Sequence, residues 1–393
     1  MKNTSPIYLD YQASAPVDPS ILREMLPYFT GSFANPHSFG HAAGWDADGA
    51  IQVAKLRISK YIGCDPDEII FTSGATESNN LAILGLRKIL CGGTRKKILT
   101  TRIEHKSVLD PCRIAVDEYG AEIYRCGVDA EGYILEDELD DAIDNSVLLL
   151  SIASVNGEIG TIQPVQRIYE LAARSGIIVH LDAAQMPVAS DMSAVTSFAD
   201  IISLSGHKMY GPKGIGCLYV RRELQDLIAP LIFGGGQQSN LRSGTLPVPL
   251  CVGMGAAAEL FGSRQGERDK LRVKVGNLWK GLNALGVDLV LNGPPLRDRH
   301  PGNLNVRFPG YEAEDILAAL QPHLAVSTGS ACTSGMPEAS HVLRGIGLTE
   351  EEARSSLRFS VGHLTTEEEI VRAVELVGSV LRRLGSGNSE VWA

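Results

Sequence analysis

The stretch Ile201-Ile202-Ser203-Leu204-Ser205-Gly206-His207-Lys208 joins a short apolar run to a turn that carries a lysine. The first four residues are apolar and largely β-branched, which predicts an interior strand. The loop after Lys208 is rich in glycine and proline, as turns are. A lysine held in a dry pocket at a strand end can form an imine with an aldehyde cofactor. A solvated surface lysine is the competing interpretation, and these residues alone do not decide between the two.

Short apolar segments alternate with amphipathic segments on both sides of this stretch, from about residue 67 to residue 221. Such runs lack strict alternation of polar and apolar residues, which is typical of a mostly parallel sheet covered by helices on both faces. In these sheets the ligand site lies beyond the carboxyl ends of the strands. The predicted strands are Ile69–Thr72, Lys97–Thr100, Val147–Ile152, Ile177–Leu181, 201–204 and 215–220, and helices are predicted over Thr76–Leu90 and Arg167–Arg174.

The C-terminal part of the chain has a different pattern. Residues 303–308 and 357–361 alternate with period two, as half-exposed strands do, and a helix is predicted from about Glu314. Thr366 and Glu369 form a capping box before a further helical pattern. The sequence therefore predicts a second, smaller α/β layer.

A polar stretch, Gly262–Arg268, separates the two patterns and is the candidate boundary. We predict a large domain over residues 15–262. The small domain would combine residues 1–14 with residues 263–393.

Composition limits the class of protein. The chain has 393 residues, of which 44% are hydrophobic and 21% charged, as in a soluble globular protein of roughly two to three domains. Its net charge of -10 argues against a general nucleic-acid-binding surface. No apolar run approaches the ~20 residues that span a bilayer, and the N-terminus does not resemble a secretory signal. Seven scattered cysteines without a Cys-x-x-Cys pair predict free thiols in a reducing cytoplasm, with no disulfide framework and no metal site.

The segment from Phe71 to Ser78 is the candidate site for a phosphate. A strand, a small-residue turn and a helix start follow one another there, so backbone N–H groups and the Thr76 hydroxyl can surround an anion. Ser205 and His207 can add side-chain donors. Simple helix capping by Ser73 or Thr76 is the alternative, since it needs no ligand.

Three polar residues follow other predicted strands. Asp182 closes the strand 177–181, where a carboxylate can pair with the protonated ring nitrogen of a pyridine cofactor, or with a backbone N–H or an arginine. Gln185 could hydrogen-bond the phenolic oxygen of the same ring. His105 could stack on that ring and pass protons, although a lone loop histidine is more often only solvated.

Cys332 and Arg358 indicate the substrate. Cys332 lies in a run of small and polar residues, which predicts a mobile loop over about 326–340 that carries an exposed thiol. Arg358, on the strand after this loop, offers a planar fork for a substrate carboxylate, unless it is an ordinary exposed arginine.

Together these segments resemble the NifS/IscS-type cysteine desulfurases, pyridoxal 5'-phosphate (PLP) enzymes of the class-V aminotransferase family with PLP fold type I. The resemblance implies an α/β large domain with a mostly parallel seven-stranded sheet. It runs almost from end to end of the chain. The matching segments are Tyr8–Pro16, Asn35–Ser38, 71–80, Glu104-His105, Val155–Gly160, Asp182–Gln185, Ser205–Lys208, Arg242–Thr245, the Cys332 loop and Arg358–Ser360.

The resemblance also implies a role for each matched residue. Lys208 would bind the cofactor aldehyde and move protons, and Cys332 would be the nucleophile. The cofactor ring would meet Asp182, Gln185 and His105. The remaining assignments are Ala75, Thr76, Ser205 and His207 on the phosphate, Thr245 reaching that phosphate from the partner subunit of a homodimer, and Asn156, Arg358 and Asn35 on the substrate.

The implied reaction removes sulfur from L-cysteine, leaving L-alanine and a persulfide on Cys332 for an acceptor protein. The sequence leaves open whether the sulfur enters iron–sulfur clusters, thiolated tRNA, modified DNA or a nitrogenase pathway. Three segments depart from the family pattern: Ser154 with Gly157, the loop Gly236–Asn240, and the ending Val391-Trp392-Ala393. Housekeeping members extend beyond that ending with a tail that meets the iron–sulfur scaffold, so we do not expect that contact from the resemblance alone.

Two other classes share part of the pattern. An aminotransferase or a selenocysteine lyase of the same fold would keep the surroundings of Lys208 but would not need Cys332. A non-catalytic subunit that carries sulfur or assists assembly would not need Lys208, Asp182, Arg358 and Cys332 together.

Overall fold

The computed structural model of the chain describes residues 6–264, 266–329 and 339–387. The strands in this part are β1 (Ile7–Tyr8), β2 (Ile69–Thr72), β3 (Lys97–Thr101), β4 (Glu122–Cys126), β5 (Val147–Ala153), β6 (Ile178–Asp182), β7 (Ile201–Ser205), β8 (Gly216–Val220), β9 (Val290–Leu291), β10 (Asn303–Arg307), β11 (Leu324–Ala325) and β12 (Ser356–Ser360). The α-helices are α1 (Pro19–Met25), α2 (Pro27–Thr30), α3 (Ala42–Ile62), α4 (Ala75–Leu84), α5 (Arg87–Gly92), α6 (Lys106–Tyr119), α7 (Glu136–Ala142), α8 (Val165–Ala173), α9 (Met186–Ala189), α10 (Val248–Ser263), α11 (Glu267–Asn283), α12 (Ala313–Leu320), α13 (His341–Gly345), α14 (Glu350–Arg354) and α15 (Glu367–Gly387).

A seven-stranded sheet forms the centre, in the order β2-β8-β7-β6-β5-β3-β4. All neighbours are parallel except the two pairs made by β8, which runs antiparallel to β2 and β7. Successive residues of one strand enter different apolar clusters, as Ile201 and Ile202 do. Because side chains alternate between the faces of a sheet, both faces are buried under helices. The predicted mostly parallel α/β sheet is confirmed.

The long helix predicted over Thr76–Leu90 is divided into α4 and α5. Gly85 lies at the break, and a Cβ there would come 2.9 Å from the Ile228 side chain. The Gly85 carbonyl accepts a hydrogen bond from the Ala229 N–H at 2.8 Å, so the neighbouring chain takes an acceptor that a continuous helix would use itself. The break coincides with this contact to a distant segment, which the local pattern of the helix does not show.

Strand β4 was not predicted from the sequence. It pairs only with β3 at the edge of the sheet, and most of its side chains are partly or fully exposed. The long apolar run that marks the inner strands is therefore missing from it.

A smaller layer contains the antiparallel sheet β12-β10-β9 and the helices α11, α12 and α15. Its apolar cluster runs from Leu271 to Leu381 and includes Leu9 from the N-terminal segment. The capping box is confirmed, since Thr366 N–H donates to Glu369 at 2.8 Å and Glu369 N–H donates to Thr366 Oγ1 at 3.2 Å. The domain limits themselves stay a prediction.

The carboxyl ends of β5, β6 and β7 lie side by side, because Ala153 pairs with Asp182 and Asp182 pairs with Ser203. The loops that leave these ends carry the candidate residues, as expected for a parallel sheet. None of the helices in the described ranges combines the length and the apolar composition that a membrane span requires.

Candidate functional site

Lys208 ends a single 3-10 turn, Gly206–Lys208, directly after β7. Its Nζ donates to the carbonyl of Ala13 at 2.9 Å and also to the carbonyl of Gln12. Burial, and then the nearby Arg358 guanidinium, lower the pKa of Lys208 to about 8. A considerable fraction of its amine is therefore neutral near physiological pH, as covalent capture of an aldehyde requires.

Asp182 ends β6 and is almost fully buried, at 7% exposure. One carboxylate oxygen accepts from Asn79 Nδ2 at 2.7 Å and the other from the Ala184 N–H at 3.0 Å. These two donors fix the orientation of the carboxylate. A charged carboxylate at this position fits the protonated nitrogen of a pyridine ring.

His105 is the N-cap residue of α6 and is exposed. Its Nδ1 accepts the Ser107 N–H at 3.1 Å, so the proton of the neutral ring lies on Nε2. Desolvation of the His105 ring by the surrounding protein lowers its pKa, whereas the negative charge of Asp182 raises it. The same electrostatic interactions include Lys208, so the fold brings these three predicted residues together.

The turn before α4 has the shape of an anion site. Gly74 adopts φ +152°, and no side chain caps the helix that begins at Ala75. The capping alternative for this turn is therefore absent. The N–H groups of the first turn are left for another acceptor, and Thr76 in the same turn is exposed. A Cβ on Gly216 would come 2.7 Å from the Gly74 Cα, so the neighbouring strand has to carry glycine there.

His207 faces the same region with a neutral ring, since burial lowers its pKa to about 4. Its Nδ1 lies 3.2 Å from Ser14 Oγ. Ser205, at the end of β7, is buried. Neutral donors together with a helix N-terminus suit a phosphate group.

Arg358 lies on β12 and is 9% exposed. Its Nη1 donates to the Gly157 carbonyl at 3.0 Å and its Nη2 to Asp10 Oδ1 at 2.8 Å. Its Nε is buried and has no hydrogen-bond partner within the described ranges. A buried donor of this kind needs an acceptor, and a substrate carboxylate bound side-on would supply one.

These residues fit PLP. The amine of Lys208 suits its aldehyde, the carboxylate of Asp182 suits its ring nitrogen, and the turn at Gly74 suits its phosphate. The unpartnered Arg358 Nε adds a position for the carboxylate of an amino acid beside them.

Four further candidates have other contacts. Gln185 Nε2 donates to the Gln12 carbonyl at 3.0 Å. Asn156 is committed to the backbone, because its Nδ2 donates to the Ile103 carbonyl and its Oδ1 accepts two N–H groups. Asn35 is exposed and accepts the His37 N–H, and Thr245 is exposed as well. The roles of these four residues stay predictions.

Cys332 lies outside the described residues, as does most of its loop. The other six cysteines are free thiols, and four of them are buried. Burial raises the pKa of Cys126 to about 11 and that of Cys112 to about 12. Such thiols are poor nucleophiles near neutral pH, and their burial indicates a role in packing.

Three residues in the site received no role from the sequence. Asn79 orients Asp182, Asp10 shares the guanidinium of Arg358, and the Gln12 carbonyl accepts from both Lys208 and Gln185. All three belong to segments that match the family. Their partners lie more than 100 positions away in the sequence, so only the folded chain reveals these contacts.

Comparison with known proteins agrees with this arrangement. A family model described as Aminotransferase class-V matches residues 7–372. Cysteine desulfurase IscS of Rickettsia akari (strain Hartford) is 45% identical over 383 residues, which make up 97% of this chain and 92% of that protein.

Solved structures give the same result. A structure described as a NifS-like protein superposes with a TM-score of 0.88 at 32% identity, over 96% of this chain and 99% of its own. A structure described as SspA in complex with cysteine has a TM-score of 0.79 at 38% identity, over 91% of this chain and 99% of its own. The family resemblance inferred from the sequence is confirmed. The chain belongs to the class-V aminotransferase family, within its IscS/NifS group of cysteine desulfurases.

Proposed function

We propose that the chain is a PLP-dependent cysteine desulfurase that converts L-cysteine to L-alanine and retains the sulfur as a persulfide on Cys332. One observation carries the proposal: the Lys208 amine, with its pKa lowered to about 8, lies within electrostatic reach of Arg358, whose Nε is buried and unpartnered among the described residues. An imine-forming lysine and a carboxylate-binding arginine in one site select an amino acid as substrate.

Each residue of the proposed site has a role that follows from its position. Asp182 would pair with the ring nitrogen of a bound PLP, and the turn at Gly74 would hold its phosphate. When bound, PLP withdraws electrons from the α-carbon of the substrate and so lets that carbon lose a proton. Arg358 grips the substrate carboxylate and fixes the α-carbon beside Lys208.

Lys208 moves the proton. Its amine is neutral in a considerable fraction of molecules near pH 8, so it can accept a proton at the α-carbon and return it elsewhere. The Nε2–H of His105 is a second donor at the same site. The Cys332 thiol then gives up its proton, and its Sγ bonds to the sulfur atom of the substrate as the bond from that sulfur to the β-carbon breaks. The carbon skeleton keeps the electron pair of the broken bond, takes up a proton in place of the sulfur and leaves as alanine.

The functional unit is a homodimer. Large apolar side chains are unusually exposed over residues 22–56, including Phe33 at 75%, Phe39 at 69% and Trp45 at 58%. Such a surface on a monomer is characteristic of a contact with another protein. A second copy of the chain is the occupant that the family resemblance implies, and the exposed Thr245 would then reach the phosphate of its partner.

The sulfur on Cys332 passes to an acceptor protein. A persulfide releases its outer sulfur to a second thiol by the exchange chemistry of disulfides. Trapping the persulfide in cell extract and identifying the protein that receives the labelled sulfur would name that acceptor.

Replacing Cys332 tests the proposed reaction. The purified protein should bind PLP and, with cysteine and a reductant, release alanine and sulfide. Cys332→Ala should still bind PLP but lose sulfide release, because the thiol that takes the sulfur from the substrate is gone. Cys91→Ala is the matched control, since Cys91 is an exposed cysteine away from the site. Sulfide release by Cys332→Ala at the parental rate would refute the assignment.

A further inference from the structure

Glu158 is a buried carboxyl group that the reaction described above does not use. Its main chain is firmly held: the N–H donates to Asn156 Oδ1 at 2.9 Å, and the carbonyl accepts from Asn303 Nδ2 at 3.0 Å and from Asn305 Nδ2 at 3.2 Å. Asn303 and Asn305 lie on β10, so Glu158 lies where the central sheet meets the smaller layer. The direction of its side chain is therefore fixed by both parts of the fold.

The carboxyl group contacts both flanks of the Cys332 segment. On the first flank, a Cβ at Gly329 would come 2.4 Å from Glu158 Oε1, so the carboxyl packs directly against the Gly329 backbone. On the second flank, the Ser340 side chain lies close enough to the Glu158 carboxyl to act on its pKa, and the Ser340 hydroxyl accepts the Leu343 N–H at 3.2 Å. Gly329 is the last described residue before Cys332, and Ser340 is the second described residue after it.

The same region also holds the substrate arginine. Arg358 donates to the carbonyl of Gly157, the residue before Glu158, and its charge acts on the Glu158 carboxyl. The first flank is joined to Arg358 as well, because the backbones of Ser327 and Arg358 exchange two hydrogen bonds at 3.1 and 2.7 Å. One residue pair, Gly157-Glu158, thus contacts the substrate arginine and both flanks.

We propose that Glu158 is a positioning residue that fixes the two flanks of the Cys332 segment relative to Arg358, so that the thiol meets the sulfur of a substrate held by that arginine. This inference rests on the proposed function. Burial raises the pKa of Glu158 to about 7, so near neutral pH much of the carboxyl is uncharged and tolerates its enclosed position.

The test separates sulfur transfer from cysteine binding. Glu158→Ala should slow persulfide formation on Cys332 at least tenfold in a single turnover, while the cysteine concentration for half-maximal change in cofactor absorbance stays within threefold. Glu158→Gln keeps nearly the same volume against Gly329 and a polar group beside Ser340, so it should recover most of the rate. Glu118→Ala, which alters an exposed glutamate, is the matched control.

Ser340→Ala removes the hydroxyl that lies beside the Glu158 carboxyl and tests the proposal even if Glu158→Ala does not fold. It should slow persulfide formation in the same direction, and the double variant should be no slower than Glu158→Ala alone. A parental rate in both Glu158→Ala and Ser340→Ala would overturn the proposal, as would an equal loss of cysteine binding and rate. A parent protein that binds cysteine but forms no persulfide would overturn the proposed function instead.

Discussion

At the scale of single residues, the protonation state of Lys208 governs the first chemical event. Only its neutral amine attacks an aldehyde, and its pKa of about 8 lies well below the ordinary value of 10.5. Covalent capture of PLP by the cofactor-free protein should therefore rise about tenfold per pH unit up to about pH 8 and then level off. Borohydride reduction followed by mass spectrometry of the Lys208 peptide measures this profile.

The two limbs of that profile have different meanings. Below the pKa the amine is protonated and capture is slow, whereas above it the neutral fraction is already complete. A capture rate that continues to rise tenfold per unit through pH 9 would indicate an ordinary lysine and contradict the proposed environment. Lys208→Ala should show no reducible linkage at any pH, although it can still bind PLP without a covalent bond.

Arg358 makes a second residue-scale prediction, about substrate affinity. Arg358→Lys keeps the charge but loses the planar fork, and Asp10 would still compete for the ammonium group. Because hydrogen bonds to charged groups contribute about 1.5–3 kcal/mol, KM for cysteine should rise about 10- to 100-fold with a smaller fall in kcat. The control is Arg354→Lys, which changes an exposed arginine on α14. An unchanged KM would remove Arg358 from the substrate site.

At the scale of elements, the contact between β8 and the turn before α4 makes the phosphate site possible. Gly216→Ala would place a Cβ 2.5 Å from the Leu204 carbonyl and 2.7 Å from the Gly74 Cα. Overpacking of this kind costs about 1–3 kcal/mol of unfolding free energy. The displaced turn should also bind inorganic phosphate and PLP more weakly, as isothermal titration would measure.

Gly92→Ala is the matched change for comparison. Gly92 ends α5, and nothing lies within 4 Å of the Cβ that alanine would add. This variant should keep both the melting temperature and the phosphate affinity of the parent. If Gly216→Ala matched it in both measurements, the close approach of β8 would not be what shapes the turn.

The strands and helices also show which parts of the fold could be predicted from the sequence. The inner strands were predictable, because each is a short apolar run buried on both faces, as β7 is. Lys208 and Asp182 were predictable from them, since both follow the ends of such runs. The edge strand β4 was not predictable, because solvent exposure weakens its apolar pattern. The break at Gly85 was not predictable either, because it coincides with a contact to a distant segment.

The roles of Asn79, Gln12 and Glu158 depend on the whole fold. Each contacts a residue far away in sequence, as Asn79 contacts Asp182, so no local spacing identifies it. The family resemblance marked the segments that contain them without giving them a task. Sequence patterns therefore predicted the residues that would meet a cofactor, whereas the contacts that orient those residues are visible only in the folded chain.

At the scale of the whole molecule, the proposed homodimer, in which each site would be shared by two subunits, would allow complementation between defective subunits. Lys208→Ala removes the covalent anchor from its own site but keeps Thr245, whereas Thr245→Asp sets a carboxylate against the partner's phosphate. A mixed dimer would contain one site with Lys208 and an unaltered Thr245 together. Random pairing should therefore restore about one quarter of the parental sites.

The experiment co-expresses the two variants with different tags and isolates the mixed dimers by sequential affinity steps. At a limiting PLP concentration these dimers should capture PLP at Lys208, whereas each variant alone should capture little or none. Capture by Thr245→Asp alone at the parental level would show that Thr245 does not reach a phosphate. Mixed dimers without recovered capture would show that each subunit builds its site from its own residues, because only a site shared across the interface can be repaired by the other subunit.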